Sequence, residues 1–148
     1  MSFFELRTPR HILEKARREH ERLTDAFNID NVFNFFVTAY HIQDYIRKTA
    51  AVPQPTLDAL DAFLKDPDLA ATRDLCDKGK HLRLTRRPDP SAIRSVIGPL
   101  NTAPLNTIPL NHYAEVWALH SDNRTLDVAV LANRVIEKWE TFFAANGL

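Results

Sequence analysis

The stretch Asp127-Val-Ala-Val-Leu-Ala-Asn-Arg-Val-Ile-Glu-Lys-Trp-Glu-Thr-Phe-Phe-Ala-Ala-Asn-Gly147 decides the fold. Val128, Leu131, Val135, Trp139 and Phe142 recur at intervals of three or four, the period of one face of an α-helix. Asp127 supplies an oxygen to cap the free amides of the first turn, and Asn146-Gly147 stops the helix. The pattern predicts the final helix of a helical bundle.

Working outward, Ser121-Asp122-Asn123-Arg124 carries turn chemistry. From Tyr113 to His120 aromatic and β-branched residues alternate loosely with polar ones, so a β-hairpin arm with a very short second strand is expected. Residues 84–111 read as irregular because Pro88, Pro90, Pro99, Pro104 and Pro109 punctuate them. Within them Ile93, Val96 and Ile97 form an ambiguous apolar patch that also fits a short strand.

Four more helices precede this insertion. Thr8 and Pro9 start the first, with Ile12, Ala16, Leu23 and Phe27 inward. Asp30 opens a second to about Ala50, whose stripe is Phe33, Phe36, Val37, Tyr40 and Tyr45, and Pro53 and Pro55 end it. A third is expected from Thr56 to Lys65, using Leu57, Leu60, Phe63 and Leu64. Asp66 or Asp68 caps a fourth, from Leu69 to about Leu82, with Leu69, Thr72 and Cys76 facing inward and Gly79 loosening its last turn. The sequence therefore predicts one mainly α domain over residues 1–148. It is a bundle of four to five helices, with a β-hairpin or proline-rich insertion over residues 84–125 before the last helix.

Composition bounds the chemistry. The 148 residues are 45% hydrophobic, enough for a real core, and 19 basic residues balance 19 acidic ones. Three scattered glycines exclude a phosphate-cradling or dinucleotide loop. A single cysteine, Cys76, excludes an intrachain disulfide and a thiolate zinc site. No apolar run is long enough to cross a membrane, and the amino terminus breaks its apolar run with a charge at once. A cytoplasmic protein without membrane association or cofactor is expected.

Two polar clusters stand out. On the fourth helix Arg73, Asp77 and His81 are spaced four apart, so each reaches the next along one face. Arg73 offers a fork for phosphate, Asp77 orients a partner, and His81 exchanges a proton near neutral pH. On the second helix His41 and Asp44 continue the aromatic stripe, flanked by Tyr45, and are expected to line a pocket or to be satisfied at a helix interface. Adjacent helices allow the two clusters to meet. A metal site at His41, Asp44 and His81 lacks a dense His/Cys pattern, so none is expected. The plainer reading of each cluster is a set of ion pairs that hold helices together.

An Arg followed by a polar residue and, further along the same helix, a His resembles the signature of the HEPN superfamily, whose members include metal-independent ribonucleases, usually dimeric. The resemblance falls on Arg73, Asp74 and His81 and implies that His81 handles a proton while Arg73 stabilises charge on the phosphate. The gap from Arg73 to His81 is wider than that pattern allows: on a straight helix they lie about 12 Å apart along the axis and are rotated by about 80°. Convergence then requires the helix to unwind near Gly79 or a second subunit to contribute. The chain is also similar to a group of bacterial helical proteins that pair a His-x-x-Asp-aromatic helix, here His41 to Tyr45, with an Arg-Asp...Lys-His helix; that likeness implies no activity.

Charge is arranged in blocks. The first helix is basic, residues 58–77 are acidic, and Lys78, Lys80, Arg83, Arg86 and Arg87 form a basic strip beside His81 that fits a phosphate group or RNA. Opposite blocks also fit self-association into a homodimer. Two functions are expected from the sequence: first a non-catalytic interaction or regulatory protein with an unidentified protein partner, and second a HEPN-like ribonuclease or RNA-binding component acting through Arg73 and His81.

Overall fold

The computed structural model describes residues 5–81, 90–97, 114–121 and 124–148. Its order is α1 (Pro9–Asp25), α2 (Ile29–Lys48), α3 (Gln54–Phe63), α4 (Pro67–His81), β1 (Ser91–Ile97), β2 (Ala114–Ser121), β3 (Arg124–Asp127) and α5 (Val128–Asn146). The chain is a mainly helical bundle with a small antiparallel sheet before the last helix, as the sequence predicts.

Capping explains the boundaries. The Thr8 hydroxyl accepts from the His11 amide with Pro9 in the first turn, Asn28 accepts from Asn31, and Asp127 accepts from Val130. The cap on α2 is thus Asn28, ahead of Asp30, and the helix ends at Lys48, before the prolines. Pro53 precedes α3 and Pro55 sits in its first turn, so these residues begin a helix as well as separate two. Asp66 Oδ1 accepts from the Asp68 amide at 2.8 Å, which starts α4 at Pro67. Gly147 adopts φ 65° and closes α5, a left-handed conformation that favours glycine.

Helices α1 and α2 form a hairpin closed by Asn31, whose amide donates to the carbonyls of Ala26 (2.7 Å) and Arg22 (3.2 Å). Helix α5 lies antiparallel to α1, joined by Arg10 to the Leu148 carbonyl, by Arg17 to Glu140 at 2.7 Å and by His20 to Asn133 at 2.7 Å. Its inward stripe, Val128, Leu131, Val135, Trp139 and Phe142, is buried with Leu13, Phe35, Phe36, Ile42, Ile46 and Leu60. Trp139 is fully buried and meets Phe63, Phe142 and Phe143 edge-on.

In the sheet, of order β1-β2-β3, β1 pairs with β2 from Ser91↔His120 to Ile97↔Ala114. The patch that contains Ile93, Val96 and Ile97 is therefore a strand, because β2 supplies the ladder that its own sequence leaves open. The short strand β3 pairs Ser121↔Arg124 to Ala118↔Asp127 and passes directly into α5. Leu119 is fully buried, and Trp117 packs edge-on against Phe27 at 5.4 Å, which seats the sheet on the bundle.

The basic first helix spends much of its charge internally. Lys15 and Arg22 both bind Glu19, at 2.9 and 3.0 Å, and Lys15 also donates to Thr38 of α2. Burial works to raise the Glu19 carboxyl, but these cations outweigh it and hold the group below its ordinary value. A second clamp joins α4 to α5: Arg134 grips both Asp68 oxygens at 2.9 and 3.0 Å, and Lys138 bridges Asp66 (2.7 Å) and Asp68 (2.9 Å).

Asp68 is only 5% exposed. Burial alone would raise its carboxyl; the hydrogen bonds and charges of Arg134 and Lys138 prevail and lower it. A carboxyl lowered on folding stabilises the protein above its unfolded pKa of about 4 and loses that contribution as pH falls through the lower folded value. Asp68→Asn should therefore cost about 2 kcal/mol at neutral pH, below the full value for a buried pair because the two cations remain part-exposed. Urea unfolding from pH 7 to about pH 2 should show the difference between wild type and variant closing below about pH 4.

Candidate functional site

Helix α2 carries two apolar stripes. Val32, Phe35, Phe36, Ala39, Ile42 and Ile46 are buried in the core. Ile29, Phe33, Val37 and His41, each four residues after the last, run along a separate line. Ile29 is 61% and Phe33 41% exposed, and Val37, Tyr40 and Tyr45 are half-buried. The expected stripe of Phe33, Phe36, Val37, Tyr40 and Tyr45 therefore merged two faces. Only Phe36 among them belongs to the fully buried one, because a helix this rich in apolar residues offers more than one face and the packing partners choose.

Helix α4 borders the outer stripe. It remains helical through Gly79 to His81, so no unwinding brings Arg73 and His81 together. Gly79 serves close packing: a Cβ there would stand 2.6 Å from Phe33 Cε2 and 2.8 Å from Cδ2. Its missing side chain lets the Phe33 ring lie across α4.

Further along, the two helices are tied by His41. Its Nδ1–H donates to the Val37 carbonyl at 2.6 Å, leaving Nε2 to accept from Lys80 Nζ at 2.7 Å. Asp44 Oδ2 lies 3.9 Å from Nε2, beyond hydrogen-bond reach, and Tyr40 meets the ring edge-on at 5.7 Å. Cys76 is fully buried with Sγ 4.0 Å from His41 Nδ1. Burial raises its thiol; Lys80 lowers it and Asp77 and Asp44 raise it, with the net displacement upward. Such a thiol is held in its unreactive protonated form.

The structure thus brings the second-helix cluster to α4, but to Lys80 and Cys76. Arg73 pairs with its neighbour Asp74, at 3.1 and 3.2 Å, in place of the expected reach to Asp77. A carboxylate one residue away intercepts the fork before one a full turn distant. Asp77 adds negative charge beside Cys76. Lys78 donates to the Pro90 carbonyl at the start of the sheet. His81 is the last residue of α4, and Arg83 and Arg86 lie outside the described residues. Among the described residues no group of three or more His, Cys, Asp or Glu is placed to hold a metal ion.

Sequence reasoning missed the Asp66/Asp68–Arg134/Lys138 clamp, whose partners are far apart in the chain. The signal available was Arg134 and Lys138 at i, i+4 on α5, and an Asp-Pro-Asp start to α4. It also missed Lys80 as the partner of His41 and Phe33 as the neighbour of Gly79, since neither contact is local.

The Gly79–Phe33 contact separates helix propensity from packing. Gly79→Ala alone should yield little or no stabilisation, because the ring must swing away from the new methyl. With Phe33→Ala already present, the same change should stabilise by about 0.5–1 kcal/mol, the ordinary gain of alanine over glycine within a helix. A double-mutant cycle in denaturant measures the coupling, and equal effects in both backgrounds would remove the packing role of Gly79.

No family model, no curated protein and no solved structure matches this chain, so the reading of the site rests on its own residues and their geometry.

Proposed function

We propose that this protein is a non-catalytic interaction module that docks through the outer stripe of α2 and the adjoining end of α4, its partner being a second copy of the chain. The observation that carries this reading is the outward line Ile29–Phe33–Val37, with Phe33 41% exposed and lying over Gly79. Large apolar side chains aligned on a surface mark an interaction site more often than scattered ones do.

The polar groups beside the stripe support a binding role over a catalytic one. His41 Nδ1 is given to the Val37 carbonyl within α2 and Nε2 to Lys80 across the α2–α4 seam, Arg73 is paired with Asp74, and the Cys76 thiol is buried. A general base or nucleophile needs an available lone pair, and here the His41 lone pair is taken up by Lys80 and the Cys76 thiol is shut away from solvent. Lys80, Asp44 and Asp77 all act on Cys76 from beside the stripe, so its border carries both signs. A two-fold interface requires a patch that is its own complement, and mixed charge around an apolar centre satisfies that requirement.

Sedimentation equilibrium over a range of concentrations tests the reading. Wild type should dimerise, and Phe33→Asp should weaken the association at least tenfold, about the worth of one buried aromatic side chain, while its helical circular dichroism is kept. A wild type that stays monomeric throughout, or a Phe33→Asp variant that dimerises equally well, overturns it. Incubation with RNA in the absence of metal is the companion measurement: cleavage by wild type, lost in both Arg73→Ala and His81→Ala, would replace this reading with the ribonuclease that the HEPN resemblance implies, with Lys78, Lys80, Arg83 and Arg86 as its phosphate contacts.

A further inference from the structure

On the other side of the bundle, the carboxy-terminal half of α1 and the first turns of α5 enclose a pocket of about 270 Å³ lined by His20, Leu23, Thr24, Phe27, Ala129, Ala132 and Asn133. It exists because two alanines face α1 where larger residues would fill the gap. Trp117 of the sheet braces Phe27 edge-on at 5.4 Å, and Phe35 packs against the His20 ring at 5.5 Å. Its walls are thus held from behind by the core and by the sheet.

Hydrogen bonding within the walls determines what is left to offer a ligand. Asn133 Oδ1 accepts from His20 Nε2 at 2.7 Å, which commits the oxygen end of that amide. The Nδ2 end donates to no described residue and keeps two N–H donors. The Thr24 hydroxyl gives its hydrogen to the His20 carbonyl at 3.0 Å, which leaves its oxygen free to accept. Among the described residues, no lysine, arginine or carboxylate lines the pocket. A cationic ligand would therefore lose its hydration without a carboxylate partner, and an anionic one would meet only the His20 ring, whose Nε2–H is already given to Asn133.

We infer that this pocket is a binding site for a small, neutral, planar ring that carries a carbonyl and an N–H on one edge, the chemistry of a pyrimidine base or a nicotinamide-type carboxamide. The carbonyl accepts from Asn133 Nδ2, the N–H donates to Thr24 Oγ1, and the ring is covered by Leu23, Phe27, Ala129 and Ala132. An apolar chamber with a few polar groups that set orientation is the usual construction of a small-molecule site, and this volume, near the lower end of such sites, suits a single ring. The pocket shares no residue with the α2–α4 face, so the inference stands independently of the docking role.

Ligand-observed saturation-transfer NMR on the full chain, combined with ¹⁵N-detected titration, tests it with four probes: uracil, nicotinamide, benzoate and toluene. Uracil or nicotinamide should bind saturably at millimolar concentration and shift the Asn133 side-chain amide, with benzoate and toluene at least tenfold weaker. Thr24→Val removes only the hydroxyl from an exposed position and should weaken binding on the order of tenfold. Ala129→Leu, in the exposed first turn of α5, should fill the mouth and abolish binding with circular dichroism unchanged. Should that variant unfold, Thr24→Val decides alone. No saturable binding of either amide, undiminished binding to Thr24→Val or to a folded Ala129→Leu, or toluene binding as tightly as the amides would each overturn the inference.

Discussion

The architecture depends on burial of one face of α5. Trp139 and the apolar residues at helical spacing around it are almost wholly removed from water, against α1, α2 and the ring of Phe63 from α3. Removing a large side chain from water is worth roughly 1.5–3 kcal/mol, and no other element collects so many at once. The other arrangements follow from satisfying that face. Helix α1 lies antiparallel to α5 and is joined to it by side-chain pairs along its length, α4 is held by Asp66 and Asp68 against Arg134 and Lys138, and the sheet is delivered to the top of α5 because β3 runs into its cap.

Once that core is complete, α2 has apolar surface to spare. Its inner stripe is consumed by the bundle, and its outer stripe is left to border α4, where Gly79 allows Phe33 to lie flat and His41 joins Lys80. A helix with two apolar faces either sits in the middle of a larger assembly or presents one face to a partner. The link from sequence to proposed function therefore passes through packing: the same residues read as one stripe become core and surface only after the neighbours are in place.

The polar clusters divide in a similar way. Of the groups that a linear reading marks as reactive, His41 joins Lys80 across two helices and Arg73 pairs with Asp74 within one. The lowered carboxyls are elsewhere, Glu19 gathering two cations on α1 and Asp68 holding α4 to α5, each with partners close enough to offset burial. The Asn133 amide and the Thr24 oxygen keep hydrogen-bonding capacity, and both are neutral and inconspicuous in the chain. What distinguishes them is that two alanines leave room beside them.

By itself the sequence determined the helical class, the caps at Thr8 and Asp127, the stop at Gly147 and the inward stripe of α5, because each of these depends on residues within a few positions of one another. It also marked His41 and Asp44 as either lining a pocket or being satisfied at a helix interface, and left that choice open. Only the tertiary structure decided which stripe of α2 is core, that Ile93, Val96 and Ile97 lie in a strand, that His41 meets Lys80, and that Arg73 turns to Asp74. Periodicity specifies an angle around a helix axis, whereas the partner that fills that angle is set by how distant segments pack, and one-dimensional spacing contains no record of that choice.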